Sequence, residues 1–284
     1  MSFTPAVQDP SDPSAKPLPE VRRVRTHHLA QAKATGEKFS MLTSYDHMTA
    51  ELFDAAGVDM LLVGDSAGGT VLGHTTSLAI TVEQMLPMCA AVAAAARRAF
   101  VVVDLPFGSY EESPEQAVRT AVRFMKEGGA HGVKIEADES LADHVAAVVR
   151  AGIPVIGHVG FTPQSEHAMG GYRIQGRGEA AQKVVDDALA LEAAGAFCIL
   201  LEMVSAETAR AVDQALGVPT IGIGAGSATT GQVLVWQDAL GLNGNKVARF
   251  VKQYADLRSV VSEAVGRYVS EVRNGSFPSE EHTY

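Results

Sequence analysis

The sequence predicts an α/β chain folded as a (β/α)8 TIM barrel with extra C-terminal helices. Three observations carry this expectation: short apolar runs recur along the chain, helical patterns separate them, and polar residues collect at the same end of the first six runs. The runs are "FSMLTSYD", "MLLVGDS", "FVVVDLPF", "HGVKIE", "IPVIGHVG", "FCILLEM" and "PTIGIGAG", with a weaker eighth around "QVLVW". Most are apolar on consecutive residues, as strands covered on both faces must be. A doubly wound sheet is the alternative arrangement of such units.

Taken in order, residues 1–20, "MSFTPAVQDPSDPSAKPLPE", are rich in proline and polar groups and read as a disordered N-terminal tail. No linker interrupts the rest, so residues 21–284 are expected to form one barrel domain. Asp46, after the first run, reads as the cap of the following helix. After the second run, Thr81 and Gln84 fit a capping box, with Ile80 and Met85 as its hydrophobic staple. Pro87, a turn into that helix, is expected to kink it. Ser113 and Pro114 open the next helix, and Gly128 and Gly129 close it. From about residue 246 the chain adds helices beyond the barrel.

Composition bounds the partners. A chain of 284 residues, 46% hydrophobic and 20% charged, is long enough for one large core. A formal net charge of −10 argues against nucleic acid and anionic membranes, leaving a small molecule as the expected substrate. Cys89 and Cys198 lie inside apolar segments and are too few for a disulfide framework, so they read as reduced core residues of a cytoplasmic protein. Neither end resembles a signal peptide or a membrane span.

The polar residues at the run ends are the chemical signal. Tyr45 follows the first run; Asp65 and Ser66 end the second, Asp104 the third, Lys134 and Glu136 the fourth, His158 the fifth and Glu202 the sixth. In a parallel barrel all strands open their carboxyl ends on one face, where active sites are assembled. Each position also has a purely structural reading: a carboxylate after a strand can cap a turn, His158 can be a satisfied core histidine, and Tyr45 can be packing. Lys134 resists such a reading, because burying an unpaired ammonium costs several kcal/mol. Asp65, Asp104 and Glu136 offer hard oxygen ligands without thiolates, which suits Mg2+. A 2-oxo acid would complete its octahedron, Lys134 and Ser66 would bind the remaining carboxylate oxygen, and a metal on the keto oxygen would acidify the neighbouring C–H. Glu202, in apolar surroundings, is then the expected base.

"TSYD", "LLVGDSAGGTVLGH", "VVDLPFGSY", "VKIE", "GHVGFTPQS", "GGYRIQGRG", "LALEAAGA", "LLEMV" and "IGIGAG" in this order resemble the ketopantoate hydroxymethyltransferase family, from about residue 22 onward. The resemblance implies a magnesium-dependent barrel that moves a hydroxymethyl group from 5,10-methylenetetrahydrofolate to 3-methyl-2-oxobutanoate, giving 2-dehydropantoate for pantothenate synthesis. It implies a homo-oligomer, a decamer built as a dimer of pentamers. It implies Asp65, Asp104 and Glu136 at the metal, Ser66, Asp104 and Lys134 on the oxo acid, and Glu202 as proton acceptor.

Other readings stay open at this point. They are a Schiff-base aldolase acting through Lys134, a ring-forming protein that binds oxo acids without turnover, and another Mg2+-dependent 2-oxo-acid lyase or mutase on a related barrel. "GIGAGSATTG" loosely resembles a dinucleotide fingerprint, but no acidic residue follows about twenty positions on in a βαβ unit, so NAD is not expected. The long connection "FTPQSEHAMGGYRIQGRG" reads as a lid, a folate contact or an intersubunit surface.

Overall fold

The computed structural model describes residues 22–244 and 247–284, so the tail expected over 1–20 lies outside the described residues. Eight strands form a closed parallel barrel in sequence order: β1 Phe39–Thr43, β2 Met60–Val63, β3 Phe100–Asp104, β4 Gly132–Glu136, β5 Val155–Gly160, β6 Cys198–Glu202, β7 Thr220–Ile223 and β8 Gly231–Leu234. β8 pairs back onto β1. Helix α1 (Thr26–Thr35) precedes the barrel, and α2 (His47–Ala55), α3 (Ala67–Thr70), α4 (Val82–Ala95), α5 (Pro114–Lys126), α6 (Ala142–Arg150), α7 (Glu166–Met169), α8 (Ala180–Ala193) and α9 (Ala206–Ala215) fill the connections up to β7. The chain divides into two compact units, one ending at Leu234 and the other beginning at Val235. The second carries α10 (Trp236–Ala239) and α11 (Leu257–Asn274).

The sequence signals act where expected. Asp46 caps α2 by accepting from the Thr49 N–H at 2.9 Å. Thr81 and Gln84 exchange capping-box bonds at the start of α4, and Ser113 caps α5 with Pro114 in its first turn. α4 continues through Pro87 as one helix. Cys89 and Cys198 are buried and unpaired.

One unit departs from the strand-then-helix pattern. β7 and β8 are joined by residues 224–230 without a helix. Gly224 and Gly226 take φ of 64° and 78°, which only glycine adopts freely. The glycines of "GIGAG" therefore serve a tight parallel crossover, and no helix N-terminus follows to receive a pyrophosphate.

The strand interior alternates with period two and sorts by depth. Phe39, Met41, Met60, Leu62, Phe100, Val102, Ile156, Cys198, Leu200, Ile221 and Val233 form one apolar cluster with Leu29 and Ala32 of α1. α1 thus packs against the first residues of the strands and closes the barrel's amino-terminal end. Continued two residues at a time, the rows of β3, β5 and β6 reach Asp104, His158 and Glu202, and β4 adds Lys134 and Glu136 in register beside them.

Candidate active site

Register places these side chains side by side. Asp104 of β3 pairs with Lys134 of β4, Glu136 of β4 with His158 of β5, and Gly160 of β5 with Glu202 of β6. Partners in register share a face, so the five polar residues climb the inner wall over four adjacent strands. Gly160 is required by this packing. A Cβ there would lie 2.5 Å from the Glu202 carbonyl oxygen, and its φ is 95°. Just past Glu202, Met203 takes a φ of 48°, a left-handed conformation that costs a non-glycine residue of order 1 kcal/mol.

Asp65 and Ser66 lie beyond β2, in the turn that leads into α3. The Asp65 N–H donates to Asp104 Oδ2 at 3.0 Å, which docks that turn against β3. The close approach here is at Gly64, where a Cβ would meet Ser66 Oγ at 2.8 Å; Gly68 and Gly69 sit in α3 with ordinary spacing. Tyr45 is buried, with its hydroxyl 2.8 Å from Ser66 Oγ.

Lys134 is 4% exposed, with Nζ 3.1 Å from Asp104 Oδ1 and 3.1 Å from His158 Nδ1. Burial alone would lower its pKa, but Asp104, Glu136 and Asp65 outweigh it and hold the ammonium well above its ordinary value. Burial and the Lys134 charge push His158 far below its ordinary value, so its imidazole is neutral. Nδ1 then accepts from Lys134, and the ring proton resides on Nε2, which lies 3.5 Å from Glu202 Oε2.

The acids respond to being crowded out of water. Burial, then Glu136, raises Asp65 to about 6. Burial raises Glu136 to about 7 against the pull of Lys134. Burial, then Glu136, raises Glu202 to about 8, and burial raises Asp104 as well. Four carboxyl groups thus face one ammonium.

That imbalance fits a hard divalent cation, which would draw these acids back to their ionised forms. The donor set is all oxygen. Glu136 Oε1 is buried without a hydrogen-bond partner, and Asp104 Oδ1 has only the Lys134 ammonium beside it. Among the described residues, no three His, Cys, Asp or Glu side chains are grouped closely enough to cage a metal by themselves. A divalent cation here would therefore need waters or substrate oxygens beside the carboxylates that reach it, which suits Mg2+.

Two residues to which sequence reasoning gave no role belong to this site. Gln164, in a one-turn helix over Pro163–Ser165, donates from Nε2 to Asp65 Oδ2 and to the Leu105 carbonyl, both at 3.0 Å. Its backbone N–H donates to Glu136 Oε2 at 2.9 Å. Tyr110 donates from its hydroxyl to Gln164 Oε1 at 2.7 Å. Both fall inside recognised segments, "GHVGFTPQS" and "VVDLPFGSY", but a neutral side chain in a loop gives no periodicity to read. A cavity of about 460 Å³ opens beside Glu136, lined also by Gly160, Thr162, Gln175, Lys183 and Asp187.

A closed parallel barrel with buried acids and a lysine where its strands end places this chain among the (β/α)8 enzymes whose chemistry sits at the C-terminal rim. Known proteins narrow the class. The ketopantoate hydroxymethyltransferase family profile matches residues 23–280. The chain is 62% identical over 275 residues to 3-methyl-2-oxobutanoate hydroxymethyltransferase of Arthrobacter sp. (strain FB24), covering 97% of this chain and 90% of that one. It is 53% identical over 265 residues to the protein of the same name from Corynebacterium glutamicum, covering 93% and 98%. The chain belongs to the ketopantoate hydroxymethyltransferase family.

Solved structures share the barrel. Phosphoenolpyruvate phosphomutase from Streptomyces platensis subsp. rosaceus superposes with a TM-score of 0.60 at 15% identity, covering 91% of each chain. A phosphonopyruvate hydrolase in complex with oxalate and Mg2+ gives 0.58 at 15% identity, covering 91% and 93%. At such identities the likeness is one of fold.

Proposed function

We propose that this enzyme transfers a hydroxymethyl group from 5,10-methylenetetrahydrofolate to 3-methyl-2-oxobutanoate, giving 2-dehydropantoate for pantothenate synthesis, at the site described above. Membership of the family and the name its relatives share support the reaction. Within the site, one observation carries the reading: a buried, charged Lys134 is, among the described residues, the single ammonium facing four carboxyl groups, paired with Asp104 at 3.1 Å and leaving the other acids to a cation.

Lys134 and the Ser66 hydroxyl bind the oxo acid's carboxylate, a charge-assisted contact made stronger by exclusion of water. Lys134 binds rather than attacks, because an ammonium held this firmly is a poor nucleophile; the Schiff-base reading loses its footing there. Asp65 and Asp104 would hold Mg2+ directly and Glu136 from the side. When bound, Mg2+ supplies Lewis acidity at the keto oxygen and so acidifies the neighbouring C–H. Glu202, held near neutrality by burial, takes the C3 proton. Water cleaves the donor's two methylene C–N bonds, releasing tetrahydrofolate and leaving the one-carbon unit at the formaldehyde level; C3 then adds to that carbon, whose oxygen takes a proton and becomes the hydroxyl. His158 keeps its Nε2–H, otherwise without a hydrogen-bond partner, 3.5 Å from Glu202 Oε2. Tyr45 orients Ser66.

The cavity beside Glu136 falls in the size range of small-molecule pockets, roughly 300–1,000 Å³, and is the place we assign to the folate donor. We further propose the homo-oligomer, a decamer, that the family resemblance implies; exposed Val261, Val265, Tyr268 and Val272 on α11 offer an apolar face for self-association. The buried, unpaired cysteines support a reducing, cytoplasmic setting, and among the described residues no helix is long and apolar enough to cross a membrane.

The test is hydrogen exchange at C3 in deuterated water. The metal-loaded enzyme should exchange without folate, EDTA should abolish exchange, and Glu202→Gln should lose both exchange and turnover by at least about 10²-fold. Wild-type exchange by Glu202→Gln together with loss in His158→Gln would move the base to His158.

A further inference from the structure

We infer that Gln164 is a positioning residue that selects, for both Asp65 and Glu136, which carboxylate oxygen faces the site. Its side chain is buried at 7% exposure, and every polar atom on it is engaged. The two Nε2 hydrogens go to Asp65 Oδ2 and the Leu105 carbonyl, Oε1 accepts from Tyr110, and the backbone N–H goes to Glu136 Oε2.

The amide's orientation follows from its neighbours. Flipped, Oε1 would face the Asp65 carboxylate and the Leu105 carbonyl, leaving two acceptor pairs in contact. Those two acceptors fix the sense of the amide, and Tyr110, 2% exposed, holds its Oε1 in place from the other side. With Asp65 Oδ2 and Glu136 Oε2 each holding a donor from Gln164, one oxygen of each remains for another ligand, and Glu136 Oε1 is indeed buried without a hydrogen bond. Pinning one oxygen removes the carboxylates' freedom to rotate before a cation arrives, which is how outer-sphere groups raise metal affinity. Leu105 adjoins Asp104, so the same amide also ties down the chain beside the third acid.

This inference rests on the reading that Asp65 and Glu136 serve a divalent cation. Its test is therefore metal binding as well as turnover. Mn2+ dissociation constants are measured by electron paramagnetic resonance on metal-stripped wild type, Gln164→Met and Tyr110→Phe, with the metal-free Tm of each. Gln164→Met keeps length and the backbone donor but loses the amide. It should weaken Mn2+ binding about 10–100-fold, the range usual for outer-sphere partners, with the Mg2+ concentration for half-maximal activity rising in proportion and kcat at saturating Mg2+ falling less. Tyr110→Phe leaves Oε1 without its donor, loosens the amide, and should weaken binding in the same direction by less. A Gln164→Met constant within about twofold of wild type, with only the Tm lowered, would make Gln164 a packing residue and overturn the inference. Should Gln164→Met not fold, an unchanged constant in Tyr110→Phe overturns it equally. A wild type that binds no Mn2+ removes the cation reading itself and this inference with it.

Discussion

The two ends of the same strands obey one geometry and opposite energetics. At the amino-terminal end, inward positions such as Phe39, Met60 and Phe100 meet Leu29 and Ala32 of α1 in a sealed apolar cluster. Each fully buried side chain of that kind contributes about 1.5–3 kcal/mol through burial. At the carboxyl end the same inner wall presents Asp104, Lys134, Glu136 and His158, all nearly inaccessible, with their titrations displaced by burial. Desolvating those groups is unfavourable in isolation, so the closed barrel below must hold them in place. Stability and chemistry are thus separated along the barrel axis.

The largest effect expected from breaking that separation is at the rim. Asp65→Asn keeps an oxygen for Gln164 but removes a charge that crowds Glu136. Turnover should fall by more than the roughly 10–100-fold typical of outer-sphere metal residues, while the metal-free Tm at pH 8 stays level or rises. A large fall in Tm would show that Asp65 is part of the scaffold rather than an expense of function.

The converse change is at the base. Leu29→Ala, at 2% exposure in the closing cluster, should cost about 2–5 kcal/mol of stability. Below its lowered Tm it should turn over with wild-type kcat and an unchanged Mg2+ requirement. A fall in kcat at temperatures where the protein is folded would mean that the two ends are mechanically coupled.

The sequence made this division legible in part. In a sheet covered on both faces, a charged residue breaks an apolar run, so Asp104, Lys134, Glu136, His158 and Glu202 stood out, and their depth followed from parallel strands. Asp65 and Ser66 were read as the end of a strand, whereas β2 stops at Val63 and a backbone bond to Asp104 brings the turn in. Such a bond joins residues 39 apart and leaves no local pattern. Gln164 was hidden for the same reason, since its partner Asp65 is 99 residues away. The helix-free crossover from β7 to β8 was missed because a glycine-rich segment reads equally as a turn or a ligand loop, and only the positive φ of Gly224 and Gly226 decides between them.

The smallest effect sharpens the comparison through pH. An acid whose pKa is higher folded than unfolded keeps, in the folded state, a proton that the unfolded chain has already released, so stability falls as pH rises between the two values. Glu136, moved from 4.5 to about 7, and Glu202, moved from 4.5 to about 8, both act this way, and Asp65, raised to about 6, does so at lower pH. Histidines with lowered values act oppositely below their ordinary 6.5, where the unfolded chain takes up protons that folded His158 and His131 refuse. The acids are therefore unopposed by these histidines only above about pH 6.5, the ordinary histidine value. From there to pH 8 the Tm of the metal-stripped protein should decline, by a few degrees at most for a barrel of this size. Glu202→Gln should flatten the upper part of the decline. Excess Mg2+ should raise Tm more at pH 8 than at pH 6.5, because it binds the ionised acids of the folded state alone. A metal-free Tm that holds level or climbs across this interval would mean that the rim carboxylates are already ionised without a cation, and that Lys134 suffices to balance them.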